Sequence, residues 1–447
     1  MLKDKRKDII EYVKQNRSFL KTNAEALDIY DGNLLPYVDA IMQKTLSEQY
    51  YKAIKERIIP INVIQRYIDK VSTAYSKSPT RMSKSKNKRV DDFVSFYKEA
   101  FDMSVSGQIA DQYSNLSKGF AWEPYVDKNG KPAIRELAFN KFLVMSDSAV
   151  SPEQETIFIK FMGYKNSDED SLLLFVYTNE EFDAFYMNET EASEYLIDNQ
   201  GLNPIGVIPF VYGKRQKNKL LPTLDTDMLS IGKTVPVMIS DAAGAQMFQC
   251  FSLMYGIDVN SENLVMAPNA FWSFKSDNEK KPEVGTVKPE ADTDKVLDFV
   301  MNIFIFWLET KGIRVGSIGS VTGSNLASGI SKIIDEMDVY SIKKKQMEWF
   351  EKDEQELWNE KLPRIHNYWV QSGMVNPATV PPVINDVFDV KIEFPAIEPM
   401  VSRSEEIANF KSELELRTMT REIVIRKLHP AFTDEQVKDV LNNSEII

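Results

Sequence analysis

The chain has 447 residues, with 54 Lys and Arg against 66 Asp and Glu, a net charge of −12. The charge is uneven: residues 1–100 carry 20 basic and 13 acidic side chains, and residues 101–447 carry 34 and 53. The acidic bulk argues against a protein that grips nucleic acid over its whole surface, which needs clustered Lys and Arg. Its one cysteine, Cys250, excludes an intramolecular disulfide, and its two histidines leave too few ligands for a structural zinc site.

From the N-terminus, MLKDKRKDII lacks the apolar core of a signal peptide. Residues 4–75 carry helical patterning; Val63, Ile64, Tyr67, Ile68 and Val71 form the best stripe, with Pro60 and Asn62 at its start. The basic, Ser-rich stretch Arg81, Lys84, Lys86, Lys88 and Arg89 reads as a solvated loop or as a contact for phosphate or an acidic partner. Residues 91–115 are again helical in pattern. Asn129-Gly130 between extended segments predicts a hairpin, since both residues tolerate φ > 0. With Thr156–Phe161, Leu172–Thr178 and Ala184–Met187 as further strands, residues 118–212 form a strand-rich module. Pro204 and Pro209 flank a short apolar run that suits an edge strand.

A helix is expected from Pro222, with a kink or restart at Gly232 or Pro236. Residues 251–291 read as short strands and turns. The next helix, about 292–311 with Gly312 as its C′ residue, is apolar on nearly all sides: Val296, Leu297, Phe299, Val300, Ile303, Phe304, Phe306, Trp307 and Leu308. Such a helix is central in its own domain or packed by neighbouring subunits. Asp298 and Asn302 interrupt it, and it is shorter than the roughly 20 residues of a membrane span. The expectation is a soluble, intracellularly made protein. Four glycines between Gly312 and Gly323 predict a pliant loop, either functional or a plain connector. A long helix then runs from 324–328 through Trp349, Leu357 and Leu362. Val390–Phe394 reads as a short strand, and 404–447 as a helical tail.

No motif carries chemistry. Gly232-Lys233-Thr234 lacks the upstream glycine and strand of a phosphate loop, and Gly316…Gly323 follows a helix with the wrong spacing for dinucleotide binding. The acid clusters Asp225/Asp227 and Asp292/Asp294 open helices, where the dipole favours them; Asp335/Glu336/Asp338 would have to converge for two-metal chemistry. His366 and His429 read as packing or surface residues, and no nucleophile–base pair stands out. No cofactor and no enzymatic activity are expected.

The order of elements says more. A helical region ends in Ile68-Asp-Lys-Val-Ser-Thr-Ala-Tyr75-Ser-Lys-Ser-Pro79, and a strand-rich module holds Tyr125-Val-Asp-Lys-Asn-Gly-Lys131 and closes on Asn203-Pro-Ile-Gly206-Val-Ile-Pro209. Then come helix, small β insert, apolar helix, Gly/Ser loop, and the helix opening Ala327-Ser328-Gly329-Ile-Ser-Lys-Ile-Ile-Asp-Glu-Met337; the tail holds Met419-Thr-Arg-Glu-Ile-Val-Ile-Arg-Lys-Leu428 and Thr433-Asp-Glu-Gln-Val-Lys438. From about residue 50 onward this resembles the portal proteins of tailed bacteriophages.

The resemblance implies an α+β, portal-like fold with long stem and crown helices, a strand-rich wing module and a small α/β clip insert. Residues 1–221 would be the wing, 222–250 the first stem helix, 251–291 the clip, 292–312 the second stem helix, 313–327 the tunnel loop, 328–399 the long helix and return to the wing, and 400–447 the crown. It implies a homo-oligomeric ring, typically of twelve subunits, at a capsid vertex of the virion, assembled in the host cytoplasm. Its partners would be the terminase motor, head–tail adaptor proteins, the major capsid and scaffolding proteins, and double-stranded DNA passing non-specifically, with no membrane. Arg314, Ser317, Ser320, Thr322 and Ser324 would line the tunnel loop; Phe271, Trp272, Phe274 and Lys275 would dock motor and adaptor at the clip; Phe299, Ile303, Phe306 and Trp307 would pack the stem between subunits. Another ring-forming connector, or a carboxylate-dependent nucleic-acid enzyme, are the alternatives.

Overall fold

The computed structural model describes residues 2–165, 168–188, 192–194, 201–250, 253–257, 283–287, 293–313, 329–395, 410–412, 414–415, 419–428 and 441. The fold is mixed α+β with antiparallel sheets. The chain divides into two compact units, residues 1–315 with 338–395, and residues 316–337 with 396–447. In the second, the described residues include the helix Arg421–Leu428.

The first unit opens with α1 (Arg6–Gln15), α2 (Arg17–Tyr30), α3 (Leu35–Thr45), α4 (Glu48–Ile54) and α5 (Val63–Val71). The anticipated start of α5 is right, and the cap is chemical: the Gln65 amide donates to Asn62 Oδ1 at 3.0 Å. Ile64, Ile68 and Val71, the i, i+4, i+7 stripe, are buried. Strand β1 (Thr80–Ser83), α6 (Lys88–Ala100) and α7 (Met103–Ser117) follow.

Strands β2 (Gly119–Val126) and β3 (Pro132–Leu137) form the expected hairpin. In its turn Gly130 has φ 75°, whereas Asn129 keeps negative φ. Asp127 replaces the second left-handed residue, since its Oδ1 accepts from the amides of Asn129 and Lys131, each at 2.8 Å. The edge strand shifts. β9 (Val211–Lys214) begins after Pro209 and completes the order β3-β2-β9, because a strand that pairs through its N–H groups starts beyond the proline.

A second sheet runs β4 (Phe142–Met145), β5 (Ile157–Lys165), β6 (Asp168–Tyr177), β7 (Phe182–Met187) and β8 (Ala192–Glu194), all antiparallel neighbours. Its period-2 alternation serves two cores. Leu143, Ile157, Ile159, Leu174 and Val176 meet Ile9, Ile10 and Val13 of α1. Phe142, Val144 and Phe158 face Phe139, Phe210 and Tyr212; the Phe158 and Phe210 rings stack with centroids 4.0 Å apart.

Helix α8 (Thr226–Cys250) continues past Gly232 and Pro236 without the restart that was one of the two anticipated outcomes there. Packing overrides the lost hydrogen bond. Where α8 crosses α5, a Cβ on Gly232 would lie 2.1 Å from Ile64 Cδ1; where it crosses α4, one on Gly244 would lie 2.7 Å from the Tyr50 hydroxyl. A two-stranded pair, β10 (Leu253–Ile257) with β11 (Glu283–Val287), separates α8 from α9 (Thr293–Thr310). Gly312, at φ 77°, lets the Ile313 amide return to the Leu308 carbonyl and ends α9. α10 (Gly329–Glu356), a π-helical turn (Leu357–Lys361) and α11 (Leu362–Gln371) lead to β12 (Val390–Glu393), which pairs with β1.

Candidate functional site

The pair α8/α9 gathers the residues with most functional content. Near the end of α9, Trp307 Nε1 donates to Asp227 Oδ2 in the first turn of α8 at 3.1 Å, which sets the helices antiparallel. Lys311 Nζ reaches Asp227 at 2.8 Å and Asp225 at 3.4 Å, and Lys118 Nζ reaches Asp225 at 2.8 Å. The two acids are therefore neutralised by lysines and by the dipole of α8. Burial works to raise the Asp227 pKa, but Lys311 and the Trp307 indole hold it below the usual carboxylate range.

Helix α9 is not uniformly enclosed. Val300 and Trp307 are buried, and Trp307, with Phe304 and Leu308 beside it, packs into a core shared by α2–α5 and α8. Trp307 is 5% exposed and its ring lies 4.9 Å from that of Tyr67. This corrects its expected role between subunits: an indole N–H that finds Asp227 and a ring that finds Tyr67 belong to the chain's own core. Phe299 and Phe306 are 57% and 68% exposed, and Ile303 between them is half-buried. At i, i+4 and i+7 these three form one stripe along the outer flank of the helix. Val296, Leu297 and Met301 add exposed apolar area around it. The other anticipated residues, Arg314, Ser317, Ser320, Thr322 and Ser324 of the tunnel loop and Phe271, Trp272, Phe274 and Lys275 of the clip, lie outside the described residues, as does His429.

The basic stretch resolves differently from either expected reading at its first residue. The Arg81 side chain is fully buried: Nε and Nη2 donate to Glu354 at 2.5 and 2.7 Å. Glu354 also accepts from the Tyr75 hydroxyl at 2.7 Å and the Trp358 indole at 3.0 Å. A buried carboxylate saturated in this way fixes the placement of α10 against β1. Lys84, Lys86, Lys88 and Arg89 are exposed. His366 is a core residue, as anticipated. Its Nε2 faces the Pro382 carbonyl at 3.3 Å, which places the proton there and leaves Nδ1 to accept from the Tyr97 hydroxyl at 2.6 Å. Gly232, Lys233 and Thr234 sit inside α8, with Lys233 paired to Glu25 at 2.6 Å.

Two features had no sequence motif. One is the Arg81–Glu354 pair, 273 residues apart. The other is Arg215, just after β9, whose side chain is 6% exposed and bonds Ser114 and Asp111 through Nη2. The basic run Lys214, Arg215, Lys217 and Lys219 was its only signal. Among the described residues no group of acids, histidines or cysteine is placed to hold a metal ion, and no helix is long and apolar enough to cross a membrane. No family model and no curated protein matches the chain.

Proposed function

We propose that the chain is a ring-forming portal subunit of a tailed bacteriophage, the port through which DNA enters and leaves the capsid. The observation that carries this reading is the exposed stripe Phe299–Ile303–Phe306 on α9. Two phenylalanine rings left in water on one helix flank are costly and call for a partner surface. A head-to-tail contact that closes on itself makes a ring. The order of elements supports the same reading: strand-rich module, antiparallel helix pair with a small two-stranded antiparallel sheet between them in sequence, then a long helix returning to pair β12 with β1. In this reading α8 and α9 are the stem, β10 and β11 belong to the clip, and residues 313–327 are the tunnel loop.

The acidic remainder of the chain would repel passing DNA, since tight phosphate contacts oppose translocation. Negative-stain microscopy of the purified protein tests the reading. A ring with a central hole is expected; dispersed single subunits at all concentrations overturn it. Deletion of residues 316–323 should leave the ring intact and impair DNA packaging or retention, and normal packaging by that variant removes the role given to the loop.

A further inference from the structure

Beside the base of the helix pair, a cleft of about 390 Å³ lies between α5, the C-terminal ends of α7 and α9, and α10. Four cations line it, Lys118, Arg215, Lys311 and Lys345, against one carboxylate, Asp225. Lys118 and Lys311 already serve Asp225. The other two cations are under-used. Lys345 is exposed at the wall and makes no ion pair with the described residues.

Arg215 is the other. Its guanidinium is buried and stacked on Trp349 and Phe350, with centroid distances of 4.7 and 4.5 Å. Nη2 is engaged, but Nε and Nη1 are buried with no hydrogen-bond partner. Leaving N–H donors of a charged group unpaired inside a protein is expensive. Gln346, on the same wall, bonds Asn115 through its amide nitrogen at 2.8 Å and leaves its Oε1 without a partner. A ligand that supplies acceptor oxygens to Arg215, and a hydroxyl to Gln346, completes both.

The carboxylates beside Arg215 do not supply those oxygens. Asp111 reaches only Nη2, at 3.4 Å, and Asp353 acts on it through space. Both are held towards their neutral forms by burial, Asp353 pushed up to about 7 and Asp111 to about 6.

We infer that this cleft binds a phosphate group, free or as the monoester of a small molecule, between Arg215 on its inner wall and Lys345 at its edge. A phosphate monoester offers acceptor oxygens for both cations and, in its singly protonated form, a hydroxyl for Gln346 Oε1. The burial of Arg215 favours a small ligand over the backbone of a duplex. The Tyr67 and Trp349 rings in the wall suit an ester whose organic part is planar.

Titration of the full-length protein with inorganic phosphate at pH 6.5, followed by phosphorus NMR at constant chloride, tests this, with adenosine monophosphate as a second arm. Saturable binding of either is expected, and tighter binding of the nucleotide assigns the ester. Lys345→Ala should weaken binding about tenfold, the loss of one charge-assisted hydrogen bond, without unfolding an exposed site. Arg215→Lys should weaken it further, with folding checked by circular dichroism. Lys344→Ala, on the same helix but away from the cleft, should bind as the wild type does. No saturable binding of either probe overturns the inference, as does binding that Lys345→Ala leaves unchanged.

Discussion

In the β4–β8 sheet both apolar faces are covered within the chain: α1 lies on one, and the Phe139, Phe210 and Tyr212 cluster on the other. In α9 only one face is covered. Val300 and Trp307 are buried, while Phe299 and Phe306 on the neighbouring flank stay in water. The two regions are similarly rich in large apolar side chains, so composition does not separate them. The difference is where the covering surface comes from. The sheet finds it within the chain, in the N-terminal helix α1 more than a hundred residues earlier; the outer flank of α9 stays exposed, and under the proposed function the next subunit in the ring covers it.

The largest effect is expected in the covered region. Glu354→Ala strands the buried Arg81 guanidinium together with the Tyr75 and Trp358 donors, and should cost about 3–5 kcal/mol in denaturant unfolding. Glu354→Gln keeps the shape and should cost less; equal loss in the two variants would mean that charge is not what holds the pair.

Within α9 the inward and outward faces should part. Trp307→Ala removes a buried ring and the Asp227 contact, and should cost about 3 kcal/mol or more. Phe306→Ala, measured on dissociated subunits, should stay within about 0.5 kcal/mol of wild type. Similar losses at the two positions would show that the outer flank is packed inside the subunit.

A separate effect is one of pH. Burial lifts the Asp353 pKa to about 7 and that of Asp111 to about 6, above the ordinary carboxylate value of about 3.8. Between these values the folded chain binds protons that the unfolded chain does not, so these two groups make stability fall as pH rises from about 4 to 7. Asp353→Asn should flatten that slope and raise the melting temperature at pH 8. A slope unchanged in the variant would place the titration elsewhere.

Much of this was legible in the sequence because the signals were local. The α5 stripe with its Asn62 cap, the Asn129-Gly130 hairpin and the Gly312 stop each follow from a few adjacent residues. The errors arise where distant partners decide. Arg81 reads as a surface base until Glu354, far along the chain, arrives on α10. Trp307 reads as one apolar residue among nine, because nothing in its neighbourhood announces Tyr67 or Asp227. Pro236 reads as a break because the close approach of Gly232 to Ile64 is invisible before the helices pack. Arg215 carried only a short basic run, and its burial depends on α7 and α10 closing over it.

Whether the outer flank of α9 joins copies of this chain is decided by light-scattering mass across a range of protein concentration and salt. Wild-type protein should run at a multiple of its 51.3 kDa subunit, and Phe299→Glu/Phe306→Glu should fall to a single folded subunit. Wild-type protein at 51.3 kDa throughout, or a double variant that keeps the wild-type mass, would contradict the account.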